Sequence, residues 1–156
     1  VRGVEYLMGK LLAYVSSGMV GVLLSWLVAT GWFGVPFRGG VPGFLLLTVD
    51  YMFASMGFSL LVSSLVRNQQ TAMFLILTVF FVPSFFIAGL ILPISDEPLA
   101  RWVAFVLPAT HFITICRGVF LKGLGLLALW RPGLNLFGLG IVAQVISLCL
   151  FDKKLI

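Results

Sequence analysis

Residues that could carry out chemistry are few in this sequence, and they lie far apart along it. Asp50 is the only carboxylate inside an apolar stretch long enough to cross a membrane, which excludes the two-carboxylate site of an intramembrane aspartic protease. Ser59 and the single His111 would form a serine-type hydrolase only if the fold brought them within hydrogen-bond reach, and nothing in the sequence predicts that. An intramembrane hydrolase is therefore the least favoured interpretation.

Motifs for nucleotide hydrolysis and for metal chemistry are absent from the sequence. It contains no GxxxxGK[ST], no HExxH, no GxSxG and no acidic metal-binding loop. Its two cysteines, Cys116 and Cys149, lie in different segments without the spacing of metal ligands or of a disulfide framework. We therefore expect this chain to have no catalytic residue, no metal and no cofactor of its own.

The composition indicates an integral membrane protein. Hydrophobic residues make up 61% of the 156 residues and charged residues 10%, which leaves too little polar material to cover the surface of a soluble domain. The formal charge of +5 then concerns membrane orientation and lipid headgroups, because the sequence has no basic stripe with interleaved aromatic residues. The expected partner is the lipid bilayer, and nucleic acid is not expected.

Four apolar stretches are long enough to cross a hydrocarbon core of roughly 30 Å as helices. They are residues 11–33, 43–66, 71–92 and 133–151. On the second stretch, Ser55 and Ser59 begin a four-residue repeat that suits helix packing or a substrate path. Asp50 lies on the same stretch, where a role in such a path and a structural hydrogen bond are both open. Pro83 is expected to kink the third stretch or to open its hydrogen bonds.

Four spans would place both ends of the chain on the same side of the membrane. Basic residues are equally frequent on the two sides, but those on the side of the termini lie in short segments beside span ends, where the positive-inside rule operates. Trp32, Trp102 and Trp130 fall on the opposite side, as in an interfacial belt. We therefore expect a multi-pass protein of the cell (inner) membrane with both ends in the cytoplasm.

Residues 93–123 are predicted to form a re-entrant helical hairpin before the last span. Prolines mark where its helices stop and start, and Gly123 ends it; the prolines are Pro93, Pro98 and Pro108. A full span is disfavoured by the free energy of insertion. The apolar residues of 102–121 contribute roughly −3 to −6 kcal/mol, a central arginine costs about 2.5 to 3.5 kcal/mol, and Pro108 and His111 add a further cost, so the sum is near zero. The predicted fold class is an all-α membrane protein with four transmembrane helices plus this hairpin.

Two polar residues of the hairpin have alternative roles. His111 is expected to be a satisfied polar residue of a first helical turn, with a proton relay as the less favoured alternative. Arg117 is expected to pair with Asp96 or Glu97 across the hairpin, although contact with anionic headgroups or with a substrate is open.

Several short motifs occur in a defined order along the chain. An amphipathic lead-in at residues 1–10 precedes the first span, the polar turn RNQQ follows the second, and AGLILPI, LPATHF and RGVFLKG lie in and around the hairpin. This combination resembles the C-terminal part of the membrane domain of type 2 ABC transporter permeases, and the similarity covers essentially all 156 residues. A channel outside the ABC class, or a structural assembly subunit, is the alternative.

The resemblance implies that the chain is a single transmembrane domain holding the last four spans of a six-span permease half of an ABC exporter. It implies that residues 1–10 are the end of a cytoplasmic coupling helix that docks on a separate ATPase, and that this ATPase binds ATP and Mg. The coupling residues would be Arg2, Val4, Glu5 and Tyr6. A second permease copy, identical or not, is an implied partner. The re-entrant hairpin would carry Pro93, Pro98, Pro108, Thr110, Arg117 and Gly118 on the outer side, and the candidate substrate path comprises Asp50, Ser55 and Ser59.

Overall fold

A computed structural model describes residues 3–66, 68–86 and 97–152 of the chain. This described part is all helical. Its helices are α1 (Gly3–Gly31), α2 (Val41–Leu65), α3 (Gln69–Ile76), a π-helical segment (Leu77–Phe81), α4 (Val82–Phe86), α5 (Pro98–Val106), α6 (Pro108–Lys122) and α7 (Trp130–Asp152). The helices α3 and α4 and the π-helical segment between them form one continuous third span, Gln69–Phe86.

In the described part of the chain, four helices are long and apolar enough to cross a membrane, and a bent helix pair precedes the last of them, so the predicted fold class is confirmed. The four are Met8–Gly31, Val41–Leu65, Gln69–Phe86 and Trp130–Leu150. Each starts a few residues before the predicted stretch, because a helix can continue past the apolar residues by which a span is detected. Residues 3–10 of the amphipathic lead-in are part of α1, which runs from Gly3 through the first span without a break. The predicted end of the third span, at residue 92, lies outside the described residues.

The bent pair is formed by α5 and α6, which meet at an angle of 83°. At a rise of 1.5 Å per residue, the 15 residues of α6 extend about 22 Å, and α5 at nearly a right angle adds little to that depth. With α6 upright this depth is less than a hydrocarbon core of roughly 30 Å, so the pair has the geometry of a re-entrant element or of a broken span.

The buried core lies between α2, α6 and α7. Its buried side chains are Phe44, Leu47, Ala54, Ile115, Val119, Leu129 and Leu136. The helices α2 and α7 approach closely at glycines: a Cβ on Gly57 would lie 2.9 Å from the carbonyl oxygen of Gly140, and a Cβ on Gly140 would lie 3.0 Å from Cα of Ala54. Small residues at such contacts allow two helix backbones to pack in a membrane, where burial alone gives little driving force.

The loop between α1 and α2 fixes the hairpin to this core. Phe37 of the loop packs edge-on against Trp26, Phe44 and Phe120, with ring centroids 5.5, 6.0 and 5.0 Å away. Gly39 lies so close to α6 that an added Cβ would be 2.6 Å from Cγ1 and 3.0 Å from the carbonyl oxygen of Val119. At the end of α6, Gly123 adopts the left-handed conformation (φ 65°) that glycine tolerates best.

The third span contains the distortion expected from Pro83. In the segment Leu77–Phe81 the helix widens to a π-helix, and the amide of Val82 donates to the carbonyl of Leu77, five residues back. Pro83 follows at once, has no amide hydrogen, and would clash with the carbonyl four residues before it in a regular α-helix. The π-helical turn changes the hydrogen-bond register just before the proline, as the sequence predicted in outline.

Candidate functional site

The hairpin corner is built from a proline and a histidine. Leu107 has an extended backbone (φ −77°, ψ 120°), which the following Pro108 favours, and Pro108 then starts α6 at a position where no amide hydrogen is needed. The break removes the helical donor for the carbonyl of Phe105. Nε2 of His111 donates to that carbonyl at 2.9 Å, and the His111 ring packs edge-on against the Phe105 ring at 5.4 Å. This contact supports the structural role expected for His111.

His111 and Ser59 each hydrogen bond to a main-chain carbonyl and not to each other. The Ser59 hydroxyl donates to the carbonyl of Ser55 at 3.0 Å, while the His111 ring bonds the carbonyl of Phe105. A serine hydrolase needs the nucleophile within hydrogen-bond reach of its base. This geometry therefore does not support the hydrolase alternative.

The residues assigned to the hairpin do not form a single cluster. Thr110 is buried, its carbonyl accepts from the Thr114 hydroxyl at 2.9 Å, and its own Oγ1 has no partner among the described residues. Gly118 is buried against Leu129, whose Cδ2 would lie 2.9 Å from an added Cβ. Pro98 and Arg117 are exposed. Pro93 lies outside the described residues, and so does Asp96, so that the pairing expected for Arg117 stays a prediction.

Ser55 and Ser59 border a shared cavity of about 240 Å³, here called the serine cavity. It lies between α2, the third span and the hairpin corner. Its lining residues are Tyr51, Ser55, Phe58, Ser59, Ile76, Phe80, Phe81, Ser84, Pro108 and Ala109. Aromatic contacts surround it: Tyr51 stacks on Phe112 at 4.2 Å, and Phe58 packs edge-on against Phe80 at 5.2 Å. Both the π-helical segment and the corner at Pro108 thus lie at this cavity.

Asp50 lines a different cavity, of about 570 Å³, here called the Asp50 cavity. It lies between α2, the start of α7 and the segment that joins α6 to α7. Its lining residues are Leu46, Leu47, Val49, Asp50, Phe53, Leu126, Leu127, Trp130, Gly133, Leu134 and Phe137. Five residues of helix rotate a side chain by about 140°, so that Asp50 and Ser55 point to different sides of α2. The structure therefore does not bring Asp50 together with Ser55 and Ser59.

Three of the four residues assigned to ATPase coupling, Val4, Glu5 and Tyr6, lie at the start of α1. Glu5 is exposed in the first turn of the helix, where an acidic side chain is favourable toward the helix dipole. Val4 and Tyr6 lie on the same turn, but their side chains are outside the described part, and Arg2 lies outside it altogether. Their role in coupling stays a prediction.

The two cysteines are unpaired in the described structure, and Cys116 is chemically protected. Burial raises the pKa of the Cys116 thiol to about 11, which keeps it protonated near neutral pH, whereas reactivity belongs to the thiolate. Among the described residues, no group of three His, Cys, Asp or Glu side chains is arranged to hold a metal ion.

Sequence reasoning missed the aromatic residues that surround these cavities. Phe53 follows Asp50 by three residues and so shares its helix face, a spacing that could have identified it. Phe137 stacks on Phe53 at 5.8 Å from the distant helix α7, and no local pattern links the two. Tyr51 and Phe112 are likewise brought together only by the packing of α2 on α6.

The sequence model of a protein family described as ABC-2 type transporter matches residues 1–121 of the chain. The chain belongs to this ABC-2 transporter family. The resemblance drawn from the lead-in, the polar turn and the hairpin motifs is thereby confirmed. The match takes in three of the four spans of this ABC-2 permease domain and nearly the whole bent helix pair.

Individual relatives of this ABC-2 permease domain are named as ABC transporters or as transport permeases. The Probable multidrug ABC transporter permease YbhS of Escherichia coli (strain K12) is 33% identical over 120 residues, covering 76% of this chain and 32% of YbhS. ABC transporter G family member 20 of Dictyostelium discoideum is 32% identical over 127 residues, covering 81% of this chain and 17% of that protein. The Inner membrane transport permease YhhJ of Escherichia coli (strain K12) is 25% identical over 145 residues, covering 90% of this chain and 38% of YhhJ. The chain spans 17% to 38% of the length of these relatives, and no solved structure matches it.

Proposed function

We propose that this chain is the C-terminal part of the permease subunit of an ABC exporter, in which it forms part of the substrate path and couples that path to a separate ATPase. The observation that carries the proposal is the match to the ABC-2 type transporter family over residues 1–121. Two of the relatives, YbhS and YhhJ, are named as a multidrug ABC transporter permease and an inner membrane transport permease. Both names agree with an exporter of the inner membrane.

The serine cavity is the proposed part of the substrate path. It is bordered by two places where regular helix is interrupted: the π-helical segment of the third span and the corner at Pro108. Such interruptions are frequent at functional sites, because the backbone there can change its hydrogen bonding at low cost. Hydroxyl groups of Ser55, Ser59 and Ser84 give the cavity polar contacts without charge. Alternating access would widen and narrow this cavity as the third span moves against α2.

The helix α1 is the proposed route of coupling. It is unbroken from Gly3 to Gly31, so a displacement of its exposed first turn at Glu5 is transmitted along the helix into the membrane. The partner ATPase would bind ATP and Mg and contact this first turn on the cytoplasmic side. A second permease copy would complete the path, and both ends of the chain would lie in the cytoplasm.

Charge reversal at Glu5 tests the coupling proposal. In the full-length permease expressed with its ATPase, Glu5→Lys is expected to lower recovery of the ATPase with the purified permease and to lower export at least about tenfold, because reversed charges at a contact cost several times the thermal energy. The permease should still insert, as measured by its amount in the membrane fraction.

A matched control is Lys122→Glu, which reverses an exposed charge at the end of α6, on the side of the hairpin. It is expected to retain the ATPase. If Glu5→Lys also retains the ATPase at the level of Lys122→Glu, the first turn of α1 is not the coupling contact. If deletion of residues 1–8 likewise leaves the ATPase bound and export intact, the whole lead-in has no part in coupling.

A further inference from the structure

Asp50 lines an apolar cavity within the membrane and carries a carboxylate oxygen without a partner. Its Oδ1 is buried and has no hydrogen-bond partner among the described residues. The other residues that line the Asp50 cavity are apolar, so that Asp50 is the only charged group at the cavity in the described part of the chain. A carboxylate in apolar surroundings is costly unless a cation or hydrogen-bond donor accompanies it. An ionisable residue at such a site in a membrane helix is rarely without function.

The basic residue nearest in sequence to the cavity lining has a different contact. Arg131 follows Trp130, and its Cζ lies 5.6 Å from the centroid of the Trp130 ring. Arg131 is exposed and does not line the cavity, whereas Trp130 does. The described residues of the cavity therefore include no internal counter-ion for Asp50.

Aromatic side chains share the lining of the cavity with Asp50. Phe53 and Phe137 stack on each other with centroids 5.8 Å apart, and Trp130 contributes a third aromatic ring to the lining. The faces of aromatic rings attract cations, and aromatic cages are a common way to hold organic ammonium groups in proteins. A carboxylate combined with three aromatic residues favours an organic cation over a neutral molecule or an anion.

The dimensions of the cavity suit a molecule of drug size. Its volume of about 570 Å³ lies in the range of roughly 300 to 1,000 Å³ that is typical of small-molecule sites, whereas the serine cavity, at about 240 Å³, lies below it. Because α2 and α7 are both membrane-spanning helices, a molecule that partitions into the bilayer could reach the cavity.

We propose that the Asp50 cavity binds a lipophilic organic cation, whose charged centre pairs with Asp50 and whose apolar body lies against Phe53, Trp130 and Phe137. Binding at this site is independent of how the permease is coupled. Only the further step, that such cations are among the exported substrates, rests on the proposed function.

Equilibrium binding to the purified full-length permease in lipid nanodiscs tests the site without ATP or ATPase. The probe is radiolabelled tetraphenylphosphonium, and tetraphenylborate is an anion of nearly the same size and apolar surface. Asp50→Asn keeps the shape of the side chain and removes its charge, and we expect it to weaken binding of the phosphonium about tenfold or more. Asp50→Glu keeps the charge and should retain most of the affinity.

Two further variants separate a binding defect from a folding defect. Asn135→Ala removes an exposed polar side chain of α7 that does not line the cavity, and it should leave phosphonium binding within about twofold of the unmodified permease. Leu134→Trp introduces bulk into the cavity and should weaken binding even though Asp50 is intact. All variants are compared by size-exclusion elution.

The anion and the unmodified permease supply the outcomes that overturn the proposal. The proposal is overturned if the unmodified permease and Asp50→Asn bind the phosphonium with equal affinity. It is also overturned if Asp50→Asn loses as much affinity for tetraphenylborate as it loses for the phosphonium. Absence of saturable phosphonium binding would mean that a lipid or another segment of the longer permease occupies the cavity. Because these measurements involve no transport, they leave the exporter proposal untouched; conversely, failure of the coupling test at Glu5 would not affect them.

Discussion

Replacing Gly57 with alanine tests the contact between α2 and α7, the two helices that line the Asp50 cavity. The added Cβ would lie 2.9 Å from the carbonyl oxygen of Gly140, 3.1 Å from Cγ of Gln144 and 3.2 Å from Cβ of Ala143. The first of these atoms belongs to the backbone, so the overlap with the added Cβ can be relieved only if α2 and α7 move apart. Gln144 also bonds across this contact, with Nε2 donating to the Phe53 carbonyl at 3.5 Å.

The magnitude follows from two opposing effects. Overpacking of a close contact costs about 1 to 3 kcal/mol. Alanine in a helix interior is favoured over glycine by roughly 0.5 to 1 kcal/mol. Because the nearest atom is a backbone oxygen that cannot move alone, the cost lies in the upper half of that range, about 2 to 3 kcal/mol. We therefore expect Gly57→Ala to lower the free energy of unfolding by about 1 to 2.5 kcal/mol, which shifts the ratio of folded to unfolded protein by roughly 5- to 70-fold.

The assay is reversible unfolding of the purified full-length permease in mixed micelles by increasing the fraction of a denaturing detergent, followed by circular dichroism. Gly138→Ala is the matched control, because Gly138 is exposed on α7 and an added Cβ there would have no neighbour within 4 Å. The control should be unchanged or stabilised by up to about 1 kcal/mol. If Gly57→Ala is as stable as Gly138→Ala, α2 and α7 do not approach as closely at Gly57 as the structure shows, and the reasoning about the Asp50 cavity between them fails as well.

Two further predictions concern the hairpin. Cys116 in the folded permease should react slowly with a maleimide at pH 8, and faster as the pH rises toward the raised pKa of about 11. At pH 8 only about one such thiol in a thousand is ionised, against about one in four for an ordinary thiol. Equal rates in folded and detergent-unfolded permease would contradict this prediction. The second prediction concerns the orientation with both ends in the cytoplasm. With Cys149 replaced by serine, an impermeant maleimide added to intact cells should label Lys122→Cys but neither Glu5→Cys nor Asn68→Cys. Protection of Lys122→Cys together with labelling of Asn68→Cys would show the opposite orientation.

Local signals predicted the elements of the fold well. Proline fixes helix starts through its missing amide hydrogen, and the helices α5 and α6 begin at Pro98 and Pro108, as predicted. Gly123 caps α6 because glycine tolerates a positive φ. The distortion expected around Pro83 occurs, although the sequence did not indicate that it would take the form of a π-helical turn.

The arrangement of the site depended on contacts that local patterns do not encode. Ser55 and Ser59 share a helix with Asp50, but which side of α2 meets which neighbour is decided by α7 and the third span. The repeat of serines suggested helix packing, whereas the close helix contact is made by Gly57 with Gly140. Glycine has no hydrophobic pattern of its own, so such a contact is recognised only when both helices are in place.

The hydrogen bond at the hairpin corner restricts which residues can replace His111. Nε2 of His111 donates to the carbonyl of Phe105, which has no helical donor because the helix breaks before Pro108. A replacement must therefore donate from a comparable distance, or it leaves a main-chain acceptor unsatisfied, which costs free energy. An apolar side chain of similar size would fill the same space and still weaken the bend between α5 and α6.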